Sequence, residues 1–184
     1  MGLKSEKPEG AGYNNSTQYV FEISYPSFIS GKDEKIKLEV GLRQLPLEKP
    51  SLVKIKHFYQ DPFTREDLIP ANEILSLTFR EAVAEKLKAA ISRRDPAIRD
   101  FYDLWYIAEY GFDFADDRFV RIFQQKLHDD NFNTSYYPDF GLTQDVINLL
   151  QSQIEGDLIP VIRTGETFDL EKVFDRFNKI LKNI

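Results

Sequence analysis

The chain has 184 residues, enough for one large domain or two small ones, and its 42% of hydrophobic residues is typical of a folded protein. Its formal net charge of −6 argues against a protein that coats nucleic acid with a broad basic surface, and leaves room only for a local basic pocket. The absence of cysteine excludes disulfides and thiolate chemistry, and no apolar run suits a membrane span or a signal peptide, so we expect a soluble cytoplasmic protein.

The first part of the chain predicts a flexible lead followed by a hairpin. Residues 1–18 are rich in Gly, Ser, Asn, Lys and Glu, and carry too little apolar surface to become ordered. Apolar and polar residues then alternate over 19–25 and 36–43, which is the period of half-buried strands. Because the link at 30–34 is rich in turn-forming residues, we expect the two strands to pair in the antiparallel direction.

The remainder of the chain predicts two short strands and then helices. Thr78, followed three residues later by Glu81, fits a capping box, so a helix should begin there. Pro96 should separate the first two helices, and Gly111 should end the second. The predicted segments are strands at about 52–58 and 73–77 with a long loop at 59–72 between them, and helices at 78–93, 97–110, 116–129, 143–154 and 170–181. This order of elements indicates an α+β fold.

Two lysines of the first predicted helix face opposite ways on a helical wheel. Lys86 falls inside the apolar stripe, whereas Lys88 points to the other side with Glu81 and Glu85, as a solvated surface lysine whose removal should matter little. An inward lysine must meet an anion or extend to solvent, because burying an unpaired ammonium is costly. Arg93 lies near the same face as Lys86, so the pattern is consistent with either a structural ion pair or an anion-binding site.

The second predicted helix carries two carboxylates three residues apart. Asp100 lies at the boundary of its apolar face and Asp103 on its polar face, a spacing that lets both carboxylates converge on one point beside the helix. Arg99 and Asp103 also have the spacing of an ordinary surface ion pair, which is the simpler interpretation of these two residues.

The sequence from Glu81 to Trp105 resembles the paired motifs of the AbiEii/AbiGii toxin family. In that family a helical lysine is followed by arginines and then by an Arg-Asp-aromatic-aromatic-Asp-Leu run, here Lys86, Arg93 and residues 99–104. The segment 36–40 is similar to the family strand that carries an acidic residue. By order and spacing the resemblance covers about 19–112, and the helical tail is similar only in general character.

The resemblance implies a polymerase-beta-like nucleotidyltransferase fold, represented here by a partial mixed or antiparallel sheet at 19–77 and a C-terminal helical bundle at 78–184. It implies a toxin of an abortive-infection or toxin–antitoxin system in phage defence. Such an enzyme transfers a nucleotide to an acceptor with Mg²⁺. The implied partners are a nucleoside triphosphate, RNA or another acceptor, and a cognate antitoxin.

The resemblance also assigns roles to individual residues. The implied catalytic residues are Glu39, Lys86, Asp100 and Asp103, the implied nucleotide-binding residues are Lys86, Arg93 and Arg99, and the implied metal ligand is Glu39. Nothing before Tyr19 resembles the Gly-Ser turn and Asp-x-Asp pair that precede the acidic strand in the family, and one carboxylate makes a weak Mg²⁺ site. We therefore expect the chain alone to be inactive, either as part of a longer enzyme or as a degenerate homologue. The alternative function is a non-catalytic nucleotide-binding or protein-interaction module.

The pattern also predicts how the parts fit together. Strands within 19–58 should form one sheet that packs against the helix pair at 78–110, because both have apolar faces that need cover. This sheet should have an edge strand that is left open or covered by something unusual. Lys86 and Asp100 should approach each other or share a pocket.

Overall fold

A computed structural model of the chain describes residues 18–27, 30–41, 44–56, 59–132 and 143–182. The predicted flexible lead lies outside the described residues except for Gln18, where the first strand begins. The chain divides into two compact units, Met1–Leu45 and Pro46–Ile184.

The first unit contains the predicted antiparallel hairpin. Strand β1 spans Gln18–Pro26 and strand β2 spans Asp33–Gly41, with Tyr19 opposite Val40 and Ile23 opposite Ile36. Gly31 in the connecting turn has a φ of +66°, a left-handed conformation that glycine adopts without strain.

The strands of the hairpin differ from the prediction in their burial. Every residue of β2 is exposed, and on β1 the apolar side chains of Tyr19 and Ile23 are exposed as well. A hairpin forms a single layer, so alternation along its strands does not by itself provide a second layer to cover the apolar face. The predicted half-burial is therefore wrong for these side chains. Among the described residues, each strand of the hairpin pairs only with the other, so the outer edge of each strand is open, as predicted.

The second unit begins with a separate two-stranded sheet. Strand β3 spans Ser51–Lys54 and strand β4 spans Glu73–Ser76, and they pair in the antiparallel direction. Since β3 pairs with β4 and not with the hairpin, the strands predicted within 19–58 form parts of two sheets, and the prediction of one sheet was wrong. The packing of the hairpin against the helices stays a prediction.

The described residues of the second unit form the five predicted helices. They are α1 Phe79–Ser92, α2 Ile98–Glu109, α3 Asp117–Asp129, α4 Gln144–Gln153 and α5 Leu170–Lys182. Thr78 caps α1 by accepting a hydrogen bond from the Glu81 amide at 3.2 Å, and Gly111 follows α2 with a φ of +84°. A π-helical turn, Ile154–Leu158, and a 3₁₀ turn, Ile159–Val161, extend the chain beyond α4. No helix among the described residues is long and apolar enough to cross a membrane.

Helix α1 is covered on two sides, by α2 and by α3. Its apolar side chains Val83, Leu87 and Ile91 join a core in which aromatic rings pack edge to face, such as Phe101 of α2 against Phe174 of α5 at 5.5 Å. The core therefore fixes α1, α2 and α5 relative to one another.

Part of the polar face of α1 is buried, contrary to the prediction. Glu81 is completely buried, and its carboxylate forms an ion pair with Lys126 of α3 at 2.8 Å. Lys88 is 12% exposed and pairs with Asp130 at 2.8 Å and with Glu85 at 3.2 Å. Helix α3 covers this face and brings its own charges to it, so the prediction that Lys88 is a solvated lysine was wrong.

Candidate functional site

A short turn, residues 93–97, joins α1 to α2, and the two helices are in contact. Lys86 and Arg93 are seven residues apart, close to two helical turns, and so lie on the same side near the C-terminal half of α1. Asp100 and Asp103 lie in the first half of α2, on adjacent turns of one face. Across this turn the pair of cations faces the pair of carboxylates.

These four side chains form the cation–carboxylate cluster. Lys86 Nζ lies 3.1 Å from Asp100 Oδ1 and 2.8 Å from Asp103 Oδ2, and Arg93 Nη1 lies 2.6 Å from Asp100 Oδ2. The prediction that Lys86 and Asp100 approach each other is therefore confirmed. Asp100 uses both of its carboxylate oxygens, one for each cation.

The members of the cluster differ in their access to solvent. The Asp100 side chain is only 5% exposed, whereas Lys86, Arg93 and Asp103 are all partly exposed. Partial burial acts to lower the pKa of Lys86, but its hydrogen bonds to Asp103 and Asp100 and their negative charges outweigh burial and raise that pKa above its usual range. Lys86 therefore remains positively charged at neutral pH, and its ammonium group is paired with the buried Asp100 carboxylate.

Gln153 supports the turn that creates the cluster, and it was not predicted from the sequence. Its Oε1 accepts a hydrogen bond from the Ile98 amide at 2.8 Å, and its Nε2 donates to the Pro96 carbonyl at 3.2 Å. Ala97 precedes α2 without a capping side chain, so Gln153 of α4 satisfies one of the free amides at the start of this helix. A glutamine on a distant helix gives no local signal of this role.

Arg99 points away from the predicted surface pair with Asp103. Its Nε donates to the carbonyl of Asp157 at 3.1 Å, in the π-helical turn after α4, while Asp103 pairs with Lys86. The nucleotide-binding role of Arg99 stays a prediction.

Glu39 belongs to the hairpin of the first unit, whereas the other predicted site residues belong to the second. Its carboxylate forms an exposed ion pair with Lys37 at 2.7 Å. No group of three or more His, Cys, Asp or Glu side chains among the described residues is arranged to hold a metal ion. Asp100 is already shared between two cations, and the metal-binding role of Glu39 stays a prediction.

The fold and the cluster define an α+β protein whose paired helices hold two cations against two carboxylates. The chain belongs to the family described as the nucleotidyl transferase AbiEii toxin of type IV toxin–antitoxin systems, which it matches over residues 3–182. No curated protein and no solved structure matches it. The family match continues through α5, well beyond the range 19–112 over which the motifs alone showed a resemblance.

Proposed function

We propose that this chain is a nucleotidyltransferase-like toxin component in which the cation–carboxylate cluster binds the triphosphate of a nucleotide. The observation that carries the proposal is that Lys86 and Arg93 both pair with one buried carboxylate, Asp100, and that all three belong to the segment whose sequence resembles the family motifs. A nucleotide acceptor such as RNA and a cognate antitoxin are the partners that family membership suggests.

The cluster suits the charge that develops during nucleotidyl transfer. An acceptor hydroxyl attacks the α-phosphorus, the bond to the bridging oxygen breaks, and pyrophosphate leaves with additional negative charge. Lys86 and Arg93 are partly exposed, so both reach a ligand in solvent and can stabilise that charge.

Burial separates the roles of the two aspartates. Asp100 is enclosed and engaged by both cations, so we assign it the positioning of Lys86 and Arg93. Asp103 is partly exposed to solvent, and of the two cations in the cluster it pairs with Lys86. A triphosphate that takes over Lys86 would release the Asp103 carboxylate, which is then accessible to the proton of an acceptor hydroxyl.

Binding of triphosphate tests the proposal directly. Replacing Lys86 by Met removes one charge-assisted contact, and we expect nucleoside triphosphate to bind roughly 10- to 100-fold more weakly by calorimetry at low salt. Lys172→Met is the matched control, because that lysine is 83% exposed and pairs only locally with Asp169. Unchanged binding in Lys86→Met, with a folded protein, would contradict the proposal.

Catalysis by this chain alone is expected to be weak, because the family resemblance assigns only Glu39 to the carboxylates that hold the metal ions, and one carboxylate makes a weak Mg²⁺ site. Labelled nucleoside triphosphates, Mg²⁺ or Mn²⁺ and a pool of RNA acceptors should give little or no labelled product. Activity in a longer polypeptide that carries a Gly-Ser turn and an Asp-x-Asp pair would distinguish part of a longer enzyme from a degenerate homologue. Strong metal-dependent labelling that Glu39→Ala or Asp103→Ala abolishes would show that the chain builds a complete site.

The alternative is a non-catalytic module in which the cluster acts as a structural clasp. It is favoured by the charge balance of the cluster, because two cations and two carboxylates neutralise one another without a ligand. In that case Lys86→Met lowers the melting temperature and leaves triphosphate binding unchanged, whereas the proposed function requires binding to fall.

A further inference from the structure

Aromatic side chains extend from the cation–carboxylate cluster along both helices that carry it. We name Phe79, Tyr106 and Tyr110 the aromatic rim. Phe79 is 64% exposed and Tyr110 is 73% exposed, while Tyr106 is half-buried. Large exposed rings beside a polar site often mark a surface that binds a ligand.

On α2 the rim follows directly from the cluster. Tyr106 lies three residues after Asp103 and Tyr110 seven residues after it, so both fall on the Asp103 side of the helix. Seven residues advance the helix by about 10 Å. The ring of Tyr110 is therefore about two turns from the carboxylate that pairs with Lys86.

On α1 the same distance leads to another exposed ring. Phe79 lies seven residues before Lys86, close to two full turns, and so shares its side of the helix. The ring of Phe79 lies 5.7 Å from the ring of Phe112, three residues after the end of α2, so the step back from Lys86 and the step forward from Asp103 lead toward the same end of the helix pair. Both helices therefore present an aromatic ring at that end.

The tyrosines of the rim are held in place by their neighbours. The rings of Tyr106 and Tyr110 lie 4.4 Å apart at 32°, and Tyr106 also lies 6.2 Å from Tyr102. The hydroxyl of Tyr102 is hydrogen-bonded to Glu166, and burial together with this bond raises the pKa of Tyr102 to about 12. Packing of this kind orders the rim before a ligand arrives, which reduces the entropy cost of binding.

We propose that the aromatic rim binds the base of the nucleotide whose triphosphate lies on Lys86 and Arg93. This inference rests on the proposed function and extends it to a second subsite. An extended nucleoside triphosphate separates its base from its terminal phosphates by a length comparable with two helical turns. Its base can then stack on an exposed ring while its phosphates contact the cations. Stacking of this kind tolerates any of the four bases, because each has a flat π-face.

The test compares ATP with inorganic triphosphate, which lacks a base, on the full 184-residue chain. The wild-type protein should bind ATP about tenfold more tightly than inorganic triphosphate, the effect expected for one stacked base. Tyr110→Ala should weaken ATP binding about tenfold and leave inorganic triphosphate unaffected, whereas Tyr110→Phe should retain the preference for ATP. Phe79→Ala should act in the same direction as Tyr110→Ala.

Two exposed aromatic residues elsewhere in the second unit serve as controls. Tyr59→Ala and Phe63→Ala remove rings that are 64% and 93% exposed on the loop between β3 and β4, and neither should change the binding of ATP. Unchanged ATP binding in a Phe79→Ala/Tyr110→Ala double variant would overturn the inference. Equal weakening of both probes would also overturn it, because the rings would then act through the fold.

The wild-type chain distinguishes a failure of the base subsite from a failure of the phosphate site. If it bound ATP and inorganic triphosphate equally, the base-binding role would fail while the proposed phosphate site survived. If it bound neither, the proposed function itself would be refuted. A wild-type dimer that becomes monomeric in Phe79→Ala or Tyr110→Ala, measured by light scattering, would overturn the inference by showing that the rim contacts a second copy.

Discussion

Lys126 is a charged side chain within the core of the helical unit. It is 2% exposed and lies between two carboxylates of α1, 2.8 Å from Glu81 and 2.6 Å from Glu85. Burial acts to lower the pKa of Lys126, but these carboxylates outweigh it and raise the pKa above its usual range. Replacing Lys126 by Met keeps a long side chain and removes the charge, so Glu81 remains buried without its cation.

Removing one partner of a buried ion pair costs about 3–5 kcal/mol. The Glu81 carboxylate would keep two hydrogen bonds, from the amides of Leu47 at 2.8 Å and Glu48 at 2.9 Å, so we expect the lower end of this range. In a protein of this size a loss of about 3 kcal/mol corresponds to a fall in melting temperature of about 6–12 °C.

Thermal and guanidinium unfolding at neutral pH, followed by circular dichroism, measure this loss. Lys172→Met, which removes an exposed lysine, should change the free energy of unfolding by less than about 0.5 kcal/mol. A Glu81→Leu/Lys126→Met double variant should be less destabilised than the sum of the two single variants, since it leaves no unpaired buried charge. If Lys126→Met were as stable as Lys172→Met, the argument from burial would be refuted.

Three other changes have expected outcomes that the same unfolding measurements check. Gln153→Ala leaves the Ile98 amide without its partner and should cost about 1–3 kcal/mol, whereas no loss would mean that Gln153 does not support the turn. Lys88→Ala removes a largely buried pair with Asp130 and should cost about 1–3 kcal/mol, more than a solvated lysine would. Burial acts to raise the pKa of Glu81, but Lys126 and the amides of Leu47 and Glu48 outweigh it and lower that pKa below the ordinary 4.5. The ionised carboxylate therefore stabilises the fold above pH 4.5, and this contribution is lost as the pH falls through the lowered pKa. Wild-type stability should therefore decline more steeply below pH 4.5 than that of Glu81→Gln, and parallel declines would contradict this.

The cation–carboxylate cluster was predictable because its information is local. Lys86 and Arg93 have the spacing of one helix face, and so do Asp100 and Asp103, while Pro96 between them separates the two helices. Two charged faces joined by a short turn must meet when the helices pack against each other. The approach of Lys86 to Asp100 was therefore predictable from the inward position of Lys86 on its helix and the boundary position of Asp100 on the next.

The polar face of α1 could not be predicted in the same way. A helical wheel assigns charged residues to solvent, and on that basis Glu81 and Lys88 were both placed outside. The wheel contains no information about α3, whose Lys126 and Asp130 neutralise these charges from about 40 residues further along the chain. When a partner helix carries the complementary charges, a helix face buried in a polar interface has the same sequence pattern as a helix face exposed to solvent.

A charge-balanced cluster constrains how a triphosphate could bind to it. Lys86 and Arg93 are already paired with carboxylates. The free energy of phosphate binding is therefore only the difference between the attraction of the cations to the phosphate and their attraction to the carboxylate that it displaces. Asp103 is the carboxylate to displace, because it is exposed, while buried Asp100 remains and keeps both cations in place. Binding should then be weak and should fall as salt is added, because exposed charges are screened. A second contact that does not depend on charge, such as a ring that stacks on the base, would raise affinity without disturbing this balance.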